Sequence, residues 1–412
     1  MTGVSLESRR FIFPIVLLAF VLLSIGVSRD YRLKHEDNNA MHATFAHNHL
    51  AAGLAATRAH DASINPKTGR VVFYAHHPPG CGLVLAGVFA VTGYDRPMVV
   101  RGVAISATLL TLVLLWRLVR REDGAAAALV AATALAILPQ AAFYGRMVNH
   151  EVLALPAIVV MVDRYFATVR GGGWRAAAML AVAATVGAWL AWATFFVLAA
   201  CWIHAVLSIR RPRFYPAAGR TLVLLTVLGT SLFAADVAHI AWVRGGDLSD
   251  LTAIFSRRVG SGQDYGVIGW VRKMFGFSRR LVTLSGTLAL VWLTVRIGRG
   301  ITGRVRLRPV EEIAAVFLAG GLGYLVAFNW GAWQHHYWQF PLLPAVAIAL
   351  GSVVTALARG AIAGPRRTAS RVALALLVIE VVATSAVGLY ARHTTPEDRV
   401  IEAVETFRSR RL

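Results

Sequence analysis

About eleven long apolar stretches divide this chain, and they constrain its fold more than any other feature. Each holds roughly 17 to 25 residues, the length at which a helix crosses a bilayer. Helices are expected because lipid offers an open backbone no hydrogen-bond partners. The chain is therefore predicted to be an all-α polytopic membrane protein. The approximate spans are residues 11–28, 96–118, 125–142, 151–169, 175–190, 193–209, 217–242, 281–297, 311–329, 339–358 and 371–390.

Composition supports this class, because 57% of the 412 residues are hydrophobic. The formal net charge is +21, yet the basic residues gather in short runs between apolar stretches. Such runs mark the cytoplasmic side of a membrane protein. They predict a multi-pass inner (plasma) membrane protein with a cytoplasmic N-terminus, and they do not indicate nucleic acid as a partner. Arg9 and Arg10 ahead of the first span are compatible with a signal peptide, but the many later spans favour an uncleaved helix.

This orientation places the most polar loops on the extracytoplasmic side. The helix from Gly82 to Thr92 is too short to cross and is expected to lie partly in the interface. The two cysteines, Cys81 and Cys201, sit in apolar sequence without metal-ligand spacing, and a disulfide between them is not expected. The predicted outward segments are the first loop (29–95), the turn before Glu151, the basic loop (243–280), the turn at 329–338 and a short C-terminal tail (391–412).

The first outward loop carries adjacent carboxylates, Glu36 and Asp37, close to an apolar span. Carboxylates near lipid are paired, hydrated or functional, because their desolvation is costly. The simpler alternative is that Asp37 caps the helix that follows. Seven histidines also lie in this loop, but none falls in a recognised ligand motif. We therefore assign no metal ligands and no cofactor, and a divalent metal stays open.

The order of these residues resembles the GT-C class of membrane glycosyltransferases. Asp37, then a helix, then Tyr74-Ala75-His76-His77-Pro78-Pro79 is similar to the dolichyl-phosphate-mannose protein mannosyltransferase and aminoarabinose transferase families. The resemblance implies a GT-C-like transmembrane domain over residues 1–390 with a helical first extracytoplasmic loop. It also implies that Asp37 is the catalytic base. Those families more often have Asp-Glu here, so Glu36 remains the alternative.

The resemblance extends to three other outward segments, each with a simpler alternative. Arg146 and Glu151 match donor-binding positions, and the simpler alternative is that the two pair with each other across their turn. Arg257 and Arg258 in the basic loop suit an anionic headgroup, although long outward loops also tolerate positive charge. His335, His336 and Tyr337 precede a proline-containing span, where aromatic residues commonly form an interfacial belt. The residues assigned to donor or phosphate binding are His76, His77, Arg146, Glu151, Arg257, Arg258, His335, His336 and Tyr337.

The function implied is that of an inverting glycosyltransferase on the extracytoplasmic face. Nucleotide sugars are cytoplasmic, so the donor is expected to be a polyprenyl-phosphate sugar held among membrane lipids. The acceptor hydroxyl or amine belongs to a protein, lipid or glycan that the sequence does not identify. Two other functions stay open. One is a lipid flippase or transporter using Asp236 and His239, and the other is a non-catalytic envelope-polymer scaffold.

Overall fold

The computed structural model describes residues 11–65, 67–260, 265–363 and 367–411, and most of them are helical. Within these ranges, seven helical segments are long and apolar enough to cross a membrane. This confirms the predicted all-α polytopic class. The seven are Pro97–Asp123, His150–Val169, Gly173–Leu190, Ala218–Val243, Pro309–Ala327, His336–Ile362 and Arg367–Thr394.

Among the described residues, the apolar helices lie at or near the predicted spans. Four apolar helices are shorter than the seven, and the break at Ala191 and Trp192 separates two helices where the sequence predicted a break. The last turn before Leu343 is a 3-10 helix that contains Pro341. The helices are α1 (Ile12–Ser24), α2 (Asp37–Ala52), α3 (Gly80–Thr92), α4 (Pro97–Asp123), α5 (Ala125–Ile137), α6 (Pro139–Tyr144), α7 (His150–Val169), α8 (Gly173–Leu190), α9 (Ala193–Ser208), α10 (Ala218–Val243), α11 (Ser249–Arg258), α12 (Gly266–Leu281), α13 (Thr283–Ile301), α14 (Pro309–Ala327), α15 (Asn329–Gln334), the 3-10 helix His336–Leu342, α16 (Leu343–Ala363), α17 (Arg367–Thr394) and α18 (Asp398–Arg408).

The first loop is helical, as expected, but it also contains a small hairpin that the sequence did not predict. Strands β1 (Ala62–Ile64) and β2 (Val71–Phe73) pair antiparallel, with Ser63 opposite Val72. Strands this short lack a detectable alternation of polar and apolar residues. The hairpin connects α2 to the segment that carries the paired histidines before α3.

The polar loops gather at two opposite ends of the helical bundle. At one end, Arg170 donates to Glu122 at 3.0 Å and Arg308 to Asp123 at 2.9 Å, which joins the short basic loops. At the other end, the first loop contacts the loops that follow α8 and α10 and the turn that precedes α7. This grouping matches the predicted grouping of loops. Residues 261–264 of the basic loop and residue 412 of the tail lie outside the described residues.

The C-terminal segment, predicted as a short tail, folds onto the first loop. Thr44 in α2 donates to the carbonyl of Phe407 at 3.1 Å, and the amide of Ile64 in β1 donates to the carbonyl of Arg410 at 3.2 Å. Arg411 pairs with Asp95 at 2.6 Å. Residues 391–411 are therefore part of the structure around the first loop.

Candidate active site

An apolar cavity of about 500 Å³ opens between α9, α10, α11 and the first loop, and His76 and Arg258 are the ionisable side chains in its lining. Its wall is almost entirely aromatic and aliphatic. A cavity of this kind accommodates a molecule with a hydrocarbon part and one anionic group. The aromatic residues of the wall are Trp192, Phe195, Phe196, Phe233, Phe255 and Phe328.

The guanidinium of Arg258 is held in place without being neutralised. Its Nη1 donates to Nε2 of His77 at 2.7 Å, and the group lies over the ring of Trp338, 5.2 Å from the ring centroid. Arg258 forms no ion pair within the described ranges. Burial, and then the nearby Arg258 charge, lowers the pKa of His76 to about 3. The histidine is neutral, so Arg258 supplies the positive charge of this site.

Arg257 and Arg258 are adjacent but differ in their surroundings. Arg257 is exposed, whereas Arg258 is half-buried and reaches the cavity. On a helix, consecutive side chains point about 100° apart, so one faces the interior and the other faces away. Of the two predicted phosphate ligands, the structure places only Arg258 at the cavity.

Asp37 lies in the first turn of α2, and its carboxylate forms no ion pair with any described residue. Burial raises the pKa of Asp37, and the negative charge of Glu397 raises it further. Ring contacts connect the segment of Asp37 with Arg258. The ring of His35 lies 5.7 Å from that of His335, and His335 lies 5.7 Å from Trp338, the ring next to the Arg258 guanidinium. A poorly solvated carboxylate that is not neutralised by a cation is suited to accept a proton.

Glu36 has a different role from its neighbour. Its Oε1 accepts from Arg101 and from Arg146, each at 2.9 Å, and its Oε2 accepts from the backbone amides of Arg32 and Leu33, both at 3.1 Å. All three charged side chains are buried. Both oxygens of the Glu36 carboxylate are thus occupied by protein donors. The alternative assignment of Glu36 as the base is therefore not favoured by its contacts.

The ion pairs of Glu36 with Arg101 and Arg146 change the interpretation of Arg146. The sequence suggested a donor ligand or a partner of Glu151, but Arg146 contacts Glu36 and the carbonyl of Ile25 instead. Glu151 is buried separately and accepts from the hydroxyl of Tyr324 at 2.7 Å. The structure thus brings Glu151 into the surroundings of Arg258, with which it interacts electrostatically, and it does not bring Arg146 there.

His335, His336 and Tyr337, the predicted donor-binding residues near the turn at 329–338, pack around His35, which the sequence analysis did not assign to the site. The ring of His35 lies 5.7 Å from those of His335 and His336 and 5.3 Å from that of Tyr337. His35 has a φ of 63°, a left-handed conformation that is uncommon for a non-glycine residue and frequent at functional sites. No sequence signal marked it, because the conformation and the neighbours depend on the folded chain.

A second cluster is formed by two residues of the first loop and one residue of α7. His42, Cys81 and His150 each offer one potential ligand atom, and these atoms lie within 4.8 Å of one another. The ring of His150 stacks on that of His77, with centroids 4.1 Å apart. The cluster therefore adjoins the partner of Arg258. The sequence did not reveal it because its members come from three separate helices.

The fold and part of the sequence resemble known membrane glycosyltransferases. Residues 76–235 match the model of the dolichyl-phosphate-mannose-protein mannosyltransferase family. A comparison with curated protein sequences finds no match. The family match covers less than half of the chain and spans the His-Pro-Pro element, the turn before α7 and most of α10.

Two solved structures share the fold. ArnT from Cupriavidus metallidurans, bound to undecaprenyl phosphate, superposes with a TM-score of 0.59 and 14% identity, over 97% of this chain and 78% of ArnT. The oligosaccharyltransferase AglB from Archaeoglobus fulgidus, in complex with an inhibitory peptide and a dolichol-phosphate, superposes with a TM-score of 0.58 and 13% identity. That match covers 95% of this chain and 57% of AglB, so the chain spans little more than half of AglB. The predicted resemblance to PMT-like GT-C membrane glycosyltransferases is confirmed.

Proposed function

We propose that this protein transfers a sugar from a polyprenyl-phosphate donor to an acceptor hydroxyl or amine, with inversion at the anomeric carbon. The observation that carries the proposal is the apolar cavity whose lining includes Arg258, a half-buried guanidinium with no acidic partner in the described chain. An isoprenoid chain matches the aromatic wall, and a phosphate matches the cation. The lipid phosphates bound to ArnT and AglB support the same donor class.

Arg258 is proposed to bind the phosphate of the donor and to stabilise it as it leaves. The bond from the anomeric carbon to the phosphate oxygen breaks, and its electron pair stays on the phosphate. A guanidinium fixed by His77 and Trp338 needs little rearrangement to meet that charge, which is the basis of electrostatic stabilisation. Phosphate needs no protonation to depart, so a second catalytic acid is unnecessary.

Asp37 is proposed to take the proton of the acceptor as its oxygen or nitrogen attacks the anomeric carbon. Direct attack opposite the leaving phosphate inverts that carbon. Its raised pKa suits this role, because burial and Glu397 make the carboxylate more basic than an exposed aspartate. Asp37 belongs to the same first loop as His77, the partner of Arg258, which supports a common site for the base and the phosphate.

The two other functions are less well supported. Transporters concentrate ionisable groups near the middle of the bilayer. Here, Asp236 and His239 lie late in α10, and His239 contacts the carbonyl of Arg58 in the first loop at 3.1 Å. His239 thus lies at the first-loop end of the bundle. A non-catalytic scaffold does not require an unpaired guanidinium in the lining of an apolar cavity.

Donor consumption is the direct test of the proposed function. The purified protein in liposomes is incubated with a panel of radiolabelled polyprenyl-phosphate sugars, together with membrane extract as a source of acceptor. We expect the protein to consume one class of donor and to release polyprenyl phosphate. If no donor is consumed and none binds, the proposal is wrong.

Arg258→Gln is expected to raise the apparent KM for the donor about 10- to 100-fold. A hydrogen bond to a charged group contributes roughly 1.5–3 kcal/mol, and every 1.4 kcal/mol corresponds to a factor of ten. Arg257→Gln is the matched control, because the neighbouring guanidinium is exposed and is expected to change KM by less than about threefold. Equal effects of the two substitutions would assign donor binding to the charge of the whole loop.

Glu397→Gln is expected to shift the acid limb of the pH–rate profile to lower pH. A base works only when it is ionised, so activity falls as the pH drops through its pKa. Removing the Glu397 charge lowers the pKa of Asp37. Lys34, which lies 3.5 Å from Glu397 in the wild type, also loses its acidic partner, and its unpaired positive charge lowers the pKa of Asp37 further. Exposed Glu402→Gln, in the helix α18 that Glu397 precedes, is the control. An unchanged profile in Glu397→Gln would mean that Asp37 is not the titrating base.

A further inference from the structure

The buried cluster of His42, Cys81 and His150 has the composition and geometry of a metal site. Its three potential ligand atoms lie within 4.8 Å of one another, and all three residues are buried. They come from α2, α3 and α7, two helices of the first loop and the helix that follows the next outward turn. A common ligand would therefore connect three separate segments of the chain.

The ring nitrogens of this cluster are poorly satisfied by protein partners. Neither nitrogen of His42 has a hydrogen-bond partner among the described residues, and neither does Nε2 of His150. Buried polar atoms are rarely left in this state, because each loses its water without replacement. Nδ1 of His150 lies 2.9 Å from the carbonyl of Leu190 and 3.4 Å from Sγ of Cys81. A proton on Nδ1 that is donated to the carbonyl leaves a free lone pair on Nε2. Metal-bound histidines commonly show this arrangement.

Asp61 completes the surroundings of His42. Its Oδ2 lies 3.8 Å from Nδ1 of His42, and its Oδ1 lies 3.8 Å from Nε2 of His49. The carboxylate is buried, and the backbone of Gly82 lies beside its Oδ1. A carboxylate behind a metal-bound histidine orients the ring and increases its basicity.

We propose that His42, Cys81 and His150 bind one zinc ion, with Asp61 orienting His42. Thiolate and imidazole ligands suit zinc, whereas magnesium and calcium prefer oxygen ligands. Three protein ligands leave a fourth position for water or for the carboxylate of Asp61. This inference does not depend on the proposed function, because it concerns metal binding by residues outside the Arg258 cavity.

The position of the ion gives it a structural role next to the cavity. His150 stacks on His77 at 4.1 Å with an interplanar angle of 7°, and His77 accepts from Arg258. Fixing His150 therefore fixes the partner of the Arg258 guanidinium. The metal would act as a positioning group for the cavity.

Cobalt substitution tests the site without an activity assay. The full-length protein is stripped of metal, loaded with Co²⁺ and measured for metal content and absorption. We expect one Co²⁺ per chain and a near-ultraviolet thiolate-to-cobalt band that is lost in Cys81→Ser. Cys201→Ser and His204→Gln, which alter a buried cysteine and a histidine of α9, are the matched controls and are expected to keep the band. Asp61→Asn is expected to weaken zinc binding about 10- to 100-fold.

Two results would overturn the proposal. One is a wild-type protein that binds less than stoichiometric Co²⁺ or shows no thiolate band. The other is a band that persists in Cys81→Ser. If Cys81→Ser does not fold, alkylation of the folded wild-type protein replaces it, and zinc is then expected to protect Cys81 at least tenfold. Equal alkylation of Cys81 with and without zinc would also reject the site.

Discussion

Replacing Asp37 with Asn is expected to lower the rate of sugar transfer about 10²- to 10⁴-fold, the usual contribution of a positioned general base. Asparagine has nearly the same size but cannot accept the proton of the attacking hydroxyl or amine. The change also leaves the surrounding contacts intact, since the Asp37 carboxylate forms no ion pair with any described residue. The measurement is the single-turnover rate of label transfer from donor to acceptor, with donor saturating.

The matched control for this substitution is Asp30→Asn. Asp30 lies in the same loop and pairs with Arg408 at the surface, at 2.6 Å, so its loss is expected to have little effect on the rate. Both variants are expected to elute as wild type in size-exclusion chromatography and to bind donor with similar affinity. A full rate in Asp37→Asn would show that Asp37 is not the base. His35, whose ring packs beside those of His335, His336 and Tyr337, would then be the next candidate.

Replacing Glu36 with Gln is expected to destabilise the protein by roughly 3–5 kcal/mol, the typical cost of removing one partner from a buried ion pair. Arg101 and Arg146 are both buried and both donate to Glu36 at 2.9 Å, so the substitution leaves two guanidinium charges without an anion. A lower thermal unfolding midpoint in detergent would be the direct observation. Exposed Glu405→Gln in α18 is expected to change stability by at most about 0.5 kcal/mol.

A second substitution separates the structural role of Glu36 from a catalytic one. Arg146→Met removes one of the two buried cations, so the double variant is expected to be less destabilised than the sum of the single variants. Residual transfer activity per folded molecule is expected to persist in Glu36→Gln. If Glu36→Gln keeps the wild-type midpoint but abolishes transfer, Glu36 is the base and the assignment to Asp37 is wrong.

The sequence predicts the membrane-spanning part of this fold because the physical signal is local. Runs of apolar residues and short basic loops reveal spans and their alternation without knowledge of distant contacts. The grouping of loops at two ends follows from that alternation. The β1–β2 hairpin was missed, since three-residue strands produce no measurable period.

The candidate site was only partly predictable because its contacts are long-range. Asp37 and Arg258 stood out as charges near apolar sequence. In contrast, the role of Glu36 depends on Arg101 and Arg146, 65 and 110 positions away, and only the folded chain reveals that pairing. Cys81 appeared to be an ordinary apolar-helix cysteine until α2 and α7 brought two histidines beside it. Arg257 and Arg258 were equivalent in sequence and differ only through the direction that each faces on α11.

The contact between the C-terminal helix and the first loop has a practical consequence for topology experiments. Arg411 pairs with Asp95, and Thr44 donates to the carbonyl of Phe407, so residues 407–411 lie at the same end of the bundle as the first loop. A reporter enzyme fused after Arg411 is therefore expected to show on which side of the membrane the first loop lies, without an insertion into that loop. A bulky tag at the same end would crowd α2, so a short linker between tag and chain is advisable.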